Sequence, residues 1–176
     1  MLYAITPDFE NEHDLLQIIF LIQKYPVSHF ILRNKNLTLE EFYKYRDLAV
    51  KNLPSNVTVI INPRKISHQN IQAEALIHLN SQNLFKASES KNWVSASCHN
   101  IKEISAANKL NLEFIFLSPV LKTLNYPRYL GWKKFAELAK ESKHPVIALG
   151  GLKIDSMQEA LTHGAKGIAG ISMFSS

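Results

Sequence analysis

Cysteine is nearly absent from this chain. Cys98 is the only one, so no intramolecular disulfide can form, which excludes the stapled scaffolds of small secreted domains. No Cys/His spacing typical of a metal site occurs. No apolar run approaches the ~20 residues that cross a membrane. The first residues, Met1-Leu-Tyr-Ala-Ile-Thr-Pro, lack the basic region and cleavage pattern of a secretory signal. These absences point to the cytoplasm, with no membrane partner. Signatures of helix-turn-helix, zinc-finger and RNP modules are missing too. Lys and Arg are scattered rather than striped along one helix, so the net charge of +5 reads as a solvated basic surface or as attraction to a phosphorylated small molecule. It does not read as a nucleic-acid interface.

What is present is a rhythm. The organising stretch runs from Phe114 to Gly151: an apolar run ending at Ser118-Pro119, a polar loop, a helical segment over 131–142, then Pro-Val-Ile-Ala-Leu-Gly-Gly over 145–151. Two apolar runs separated by a helix are the signature of parallel neighbours joined by a crossover. The same alternation recurs along the chain. Strands are predicted over 2–6, 29–33, 57–62, 75–79, 93–98 and 167–173. Helices are predicted over 13–24, with Asn11 as cap, 38–51, opened by Thr38 with Glu40 and Glu41, 100–110, with Asn100 as cap, and 155–163, stopped by Gly164. Residues 81–91 read as a weak helix, and 66–73 as a short helix or irregular turn. Unbroken apolar strands alternating with helices mean a parallel sheet covered by helices, and eight of them predict one α/β domain over residues 1–176, a TIM (β/α)₈ barrel. An open doubly wound sheet is the alternative. The barrel is short and leaves no room for a final C-terminal helix. A groove beside the first and last strands is therefore expected to be filled by another element or a second subunit. The first helix, apolar nearly all round, is the natural contact, so a homodimer is expected.

In a parallel barrel the active site lies at the C-terminal ends of the strands. Arg33 and Lys35 follow strand two, Asn62 ends strand three, Ser97 and His99 end strand five, and Thr123 follows strand six. Gly150 and Gly151 follow strand seven, and Ser172 ends strand eight. Glycine amides and a serine hydroxyl can donate to phosphate oxygens, and a tight turn is the alternative reading of Gly150-Gly151. Arg33 and Lys35 suit a second anion, or are surface charges in a polar loop. His99 is a candidate acid or base, or a helix-start residue bonded to backbone. Cys98 reads as a small packed residue and His78 as a satisfied core histidine. No carboxylate is read at these strand ends.

Residues in this order resemble the thiamine phosphate synthase / TenI superfamily of TIM barrels, over nearly the whole chain. The resemblance rests on Ser97-Cys-His99, Glu103, Phe114-Ile-Phe-Leu-Ser-Pro, Thr123, Gly131, Pro145-Val-Ile-Ala-Leu-Gly-Gly-Leu and Gly164-Ala-Lys-Gly-Ile. Leu32-Arg33-x-Lys35, Asn62 and Ile77-His78-Leu79 match upstream. It implies either of two activities in thiamine biosynthesis. One is a magnesium-assisted synthase joining a pyrimidine methyl diphosphate to a thiazole phosphate. The other is a TenI-like protein that binds a thiazole phosphate, some members of which isomerise a thiazole carboxylate phosphate. Thr123, Gly151 and Ser172 fall on the thiazole-phosphate contacts and Ser97 on a strand-five contact. The chain departs from the synthase where magnesium would be held. The Asn-Asp after strand three is Asn62-Pro63, and the acidic pair beyond strand four falls at Gln82 and Asn83. The glutamine before the arginine is Ile31, a lysine after strand six is replaced around Asn125-Tyr126, and the tautomerase histidine falls at Pro119. The expectation is therefore a TenI-like thiazole-phosphate protein, with Mg²⁺ only if it is synthase-active. An active synthase and a non-catalytic phosphate-binding barrel are the alternatives.

Overall fold

In the computed structural model, residues 1–66, 71–123 and 127–174 are described. Eight strands pair in parallel, in sequence order, and the eighth returns to the first. They are β1 (Leu2–Ile5), β2 (His29–Arg33), β3 (Thr58–Asn62), β4 (Ile77–Leu79), β5 (Trp93–Cys98), β6 (Phe114–Leu117), β7 (Val146–Leu149) and β8 (Gly167–Gly170). The helices are α1 (Glu12–Ile22), α2 (Leu39–Asn52), α3 (Ser81–Leu84), α4 (Ile101–Ala107), α5 (Gly131–Ala139) and α6 (Met157–Thr162). This closed barrel is the TIM-type architecture, and closure rules out the open-sheet alternative.

The alternation of strand side chains produces two apolar layers. Tyr3, Ile5, Ile31, Ile60, Phe114, Phe116, Ile147 and Ala169 fill the barrel's interior. Tyr3 stacks on His29 with ring centroids 4.4 Å apart and lies edge-on to Phe116 at 5.8 Å. The lumen is therefore a packed core rather than a pore. Ala4, Phe30, Leu32, Ile61, Ala96, Cys98, Ile115 and Ala148 face outward into the layer under the helices.

Local sequence explains the helix ends. Asn11 accepts from the Asp14 amide, and Thr38 and Glu41 form a reciprocal capping box. Asn100 accepts from the amides of Lys102 and Glu103. Gly164, at φ +94°, lets the chain leave α6 through a left-handed residue.

Several predicted elements are shorter or end differently. The weak helix over 81–91 is helical only over Ser81–Leu84. The strand predicted to 173 stops at Gly170, and Ser172 opens a 3-10 turn, Ser172–Phe174. Asp155 lies inside a 3-10 turn, Ile154–Ser156, that leads into α6. Four residues of the 66–73 segment, and Asn125-Tyr126, lie outside the described residues. The groove beside β1 and β8 is occupied in part by the chain itself. Met173 and Phe174 are buried, and Phe174 meets Tyr25 edge-on at 5.3 Å. Along α1, Leu15, Ile19 and Ile22 are buried in the core, whereas Leu16, Phe20 and Leu21 remain exposed.

Candidate functional site

A cavity of ≈ 370 Å³ opens over the C-terminal ends of β2, β3 and β4. It is lined by Arg33, Asn34, Lys35, Asn62, Arg64, Asn80, Ser81 and Gln82. Because β2 and β3 pair with Arg33 opposite Asn62, residues predicted separately from two strand ends meet here. Three of the predicted site residues, Arg33, Lys35 and Asn62, thus share one cavity.

The loop after β1 supplies a carboxylate that the sequence reading missed. Asp8 Oδ1 accepts from the Arg33 guanidinium at 3.2 Å and from the Lys35 amide at 3.1 Å, while Oδ2 lies 3.7 Å from Lys35 Nζ. The reading stopped at Thr6-Pro7. Only pairing of β1 with β2, through Tyr3 and His29, carries the following loop to the β2 end. Arg64 has no ion pair among the described residues. Its backbone, however, is held: the Asn80 side-chain amide donates to the carbonyls of Pro63 at 3.5 Å and Arg64 at 3.3 Å, and that of Asn83 to the same two at 3.5 and 3.4 Å. Asn80 is also the N-cap of α3, accepting from the Asn83 amide.

His99 stands at the rim. Its Nδ1 lies 2.9 Å from Glu103 Oε2 and 3.2 Å from Ser81 Oγ, and Ser81 lines the cavity. The His99 backbone N–H also donates to Glu103 Oε2. Glu103 is buried, and the His99 side chain is 42% exposed. A buried carboxylate on Nδ1 fixes the ring and leaves Nε2 without a partner among the described residues. His99 thus bonds at a helix start, as one of its two readings expected, and reaches the cavity wall through Ser81.

His78 sits inside the barrel against Phe116, with ring centroids 5.0 Å apart. Nδ1 is 2.8 Å from Ser95 Oγ and Nε2 is 2.7 Å from Ser97 Oγ. Both nitrogens are satisfied, and burial lowers the imidazole pKa to about 3, so the ring is neutral. Ser97, half-buried, is thus engaged by a core histidine. Cys98 is fully buried on the opposite face. Burial first, and Glu103 second, push its thiol up to about 12, so it is an inert packed residue.

Gly150, Gly151 and Ser172 follow β7 and β8, which are adjacent, and do not line the cavity over β2–β4. Gly150 and Gly151 have φ of +102° and +73°. A Cβ on Gly150 would lie 2.7 Å from Pro119, and one on Gly151 would lie 2.8 Å from the Lys122 carbonyl. Both glycines are needed for the turn and for close approach of the 119–122 loop. Thr123 is half-buried at the end of that loop.

Magnesium asks for several oxygen anions, and the residues here do not fit it. The positions at which the resemblance expects acids are Pro63, Gln82 and Asn83, three cations flank them, and Asp8 is already paired. Among the described residues no group of three or more His, Cys, Asp or Glu is placed to hold a metal. No described helix is long and apolar enough to cross a membrane.

Fold and mouth together define a TIM-type barrel with a cationic, amide-lined site at the C-terminal ends of its strands. The chain matches the model of the thiamine monophosphate synthase family over residues 2–174, and it belongs to that family. The putative thiamine-phosphate synthase 2 of Aquifex aeolicus is 31% identical over 180 residues, covering 98% of this chain and 96% of its own. The thiamine-phosphate synthase of Pediococcus pentosaceus is 26% identical, covering 97% of this chain and 85% of its own. Thiamine phosphate pyrophosphorylase from Pyrococcus furiosus shares the fold, with a TM-score of 0.73 at 20% identity over 97% of this chain and 85% of that one.

Proposed function

We propose that this chain is a TenI-like protein of thiamine biosynthesis that binds a thiazole phosphate and acts as a thiazole tautomerase, with His99 as proton carrier. The observation that carries the reading is the Glu103–His99–Ser81 arrangement at the cavity's rim. Tautomerisation needs one proton removed and one returned. With Nδ1–H donated to Glu103, Nε2 is the lone-pair nitrogen that takes a proton from a ligand carbon and gives it back to another ligand atom. The glycine turn after β7 and Ser172 after β8 are the proposed hold on the phosphate, with Thr123 and Ser97 as further ligand contacts. Arg33, Lys35 and Asn62 then face the ligand's second polar end. The lack of fit for magnesium weighs against the synthase, which would have to ionise a diphosphate ester.

The second reading is an active thiamine phosphate synthase, favoured by the cationic cavity and by the names of the curated relatives. One set of incubations separates the two. The purified protein is given a thiazole carboxylate phosphate tautomer and followed by ultraviolet absorbance. In parallel it is given pyrimidine methyl diphosphate, thiazole phosphate and magnesium, and thiamine phosphate is assayed. Isomerisation lost by at least about 100-fold in His99→Ala, with no thiamine phosphate formed, is the expected result. Thiamine phosphate formation that is lost in Arg33→Ala overturns it in favour of the synthase. Saturable thiazole phosphate binding lost in Ser172→Ala, with neither product formed, leaves the non-catalytic binder.

The exposed Leu16–Phe20–Leu21 stripe of α1 is the proposed homodimer contact. Light scattering at micromolar concentration gives a dimer, and a monomer there removes the proposal.

A further inference from the structure

We infer that His78 is a positioning residue: it turns the Ser97 hydroxyl proton outward, so that Ser97 meets the ligand as a hydrogen-bond donor. The imidazole spans two serines of β5. It stands opposite Ser95 across the β4–β5 pair, with Nδ1 2.8 Å from Ser95 Oγ and Nε2 2.7 Å from Ser97 Oγ. Ser95 and Ser97 are two residues apart on one strand, so their side chains share a face and one ring reaches both. Phe116, opposite Ser97 in β6, flanks that ring. His78 and Ser95 are fully buried, whereas Ser97 is half-buried near the C-terminal end of β5.

A neutral imidazole has one N–H and one lone pair, so one serine donates to the ring and the other accepts from it. Burial decides which. Ser95 Oγ has no other hydrogen-bond partner among the described residues and no exposed surface. Its proton has one outlet, the Nδ1 lone pair. Were Nδ1 protonated instead, the Ser95 proton would be an orphan donor in the barrel core and would carry its full desolvation penalty. Ser95 therefore donates to Nδ1, Nε2 carries the hydrogen, and Ser97 accepts from Nε2–H. The Ser97 proton then has no acceptor among the described residues and is left for the ligand. A hydroxyl that accepts on one side is a stronger donor on the other. It suits a lone-pair atom of the ligand other than the phosphate, which the reading above gives to the β7 turn and Ser172. The inference rests on that reading for the ligand, and adds a direction for Ser97 and a role for His78.

The test is nitrogen NMR of protein carrying isotope-labelled histidine, first without ligand, with the His78 signals assigned by their loss in His78→Gln. The ring tautomer is read directly: Nε2 is expected protonated and Nδ1 unprotonated. Thiazole phosphate is then titrated in. The Nε2–H proton is expected to move downfield, because Ser97 becomes a better acceptor as it donates to the ligand. By calorimetry, Ser97→Ala is expected to weaken thiazole phosphate binding by roughly threefold to tenfold, and Ser97→Thr, which keeps the hydroxyl, to recover most of the loss. The Nδ1–H tautomer, a mixture of the two, or equal binding by the native chain and Ser97→Ala overturns the inference. If the Nε2–H tautomer is found while thiazole phosphate neither binds nor shifts it, the direction of the hydroxyl stands and the thiazole reading falls.

Discussion

A buried histidine with both nitrogens occupied by hydroxyls is a pH liability, and His78 is such a residue. Its folded pKa, about 3, lies below the ~6.5 of an unfolded histidine. Above pH 6.5 both states are neutral and nothing changes. As pH falls below 6.5 the unfolded chain takes up a proton that the folded one refuses, so stability is lost progressively towards pH 3. The slope from this one group is at most about 1.4 kcal/mol per pH unit. His29 adds to it with the same sign, its pKa lowered by burial and by the N-terminal amino group. Urea midpoints at pH 7.5 and 5.0 should differ in the native chain and differ less in His78→Gln, which is also less stable at pH 7.5. An unchanged difference in the variant would show that His78 is not the titrating group. That His78 would be a satisfied core residue was legible in the sequence, from its place inside an apolar strand. Its partners were not, because a register shift between Ile77 and His78 sets it opposite Ser95, and no spacing rule announces a bulge.

Helix caps were the most legible features at the scale of elements, because a cap is a contact between residues two or three apart. Asn11, Thr38 and Asn100 could be named before any tertiary contact was known, and each caps as expected. Asn100 matters most for the site. It receives the amide of Glu103 at 3.1 Å at the start of a helix only seven residues long, and Glu103 in turn holds His99. Asn100→Ala should cost about 1 kcal/mol, read as a lowered denaturant midpoint, and Asn100→Ser should recover most of it. Equal midpoints for the Ala and Ser variants would mean that the cap does not hold this helix. The cation site was only partly legible for the opposite reason. Arg33, Lys35 and Asn62 could be placed at strand ends, but Asp8 enters from the β1 loop and Asn83 from α3. Those pairings exist only once neighbouring strands are in register.

Barrel closure is a property of the whole molecule, and it depends on a glycine that neither turns nor binds. β8 pairs with β1, with Leu2 opposite Ile168. The Ile168 amide donates to the Met1 carbonyl at 3.1 Å, and the Met1 amino group donates to the Lys166 carbonyl at 3.2 Å. At the seam the two backbones come so close that a Cβ on Gly167 would lie 2.2 Å from the Met1 carbonyl oxygen and 3.0 Å from its carbon. Those are backbone atoms already committed to the closing hydrogen bonds, so they cannot step aside without opening the seam. Gly170, three residues on, is also crowded, but there a Cβ would meet Cε and Cγ of Met173 at 2.4 and 2.9 Å. A methionine side chain has three rotatable bonds and can repack. Gly167→Ala should therefore destabilise the barrel by about 1–3 kcal/mol, the usual cost of overpacking a close contact, and Gly170→Ala by clearly less. Chemical denaturation followed by circular dichroism gives both midpoints. If the two variants lose equal stability, the seam yields as readily as a side chain, and closure through the Met1 carbonyl is not what makes glycine necessary at 167.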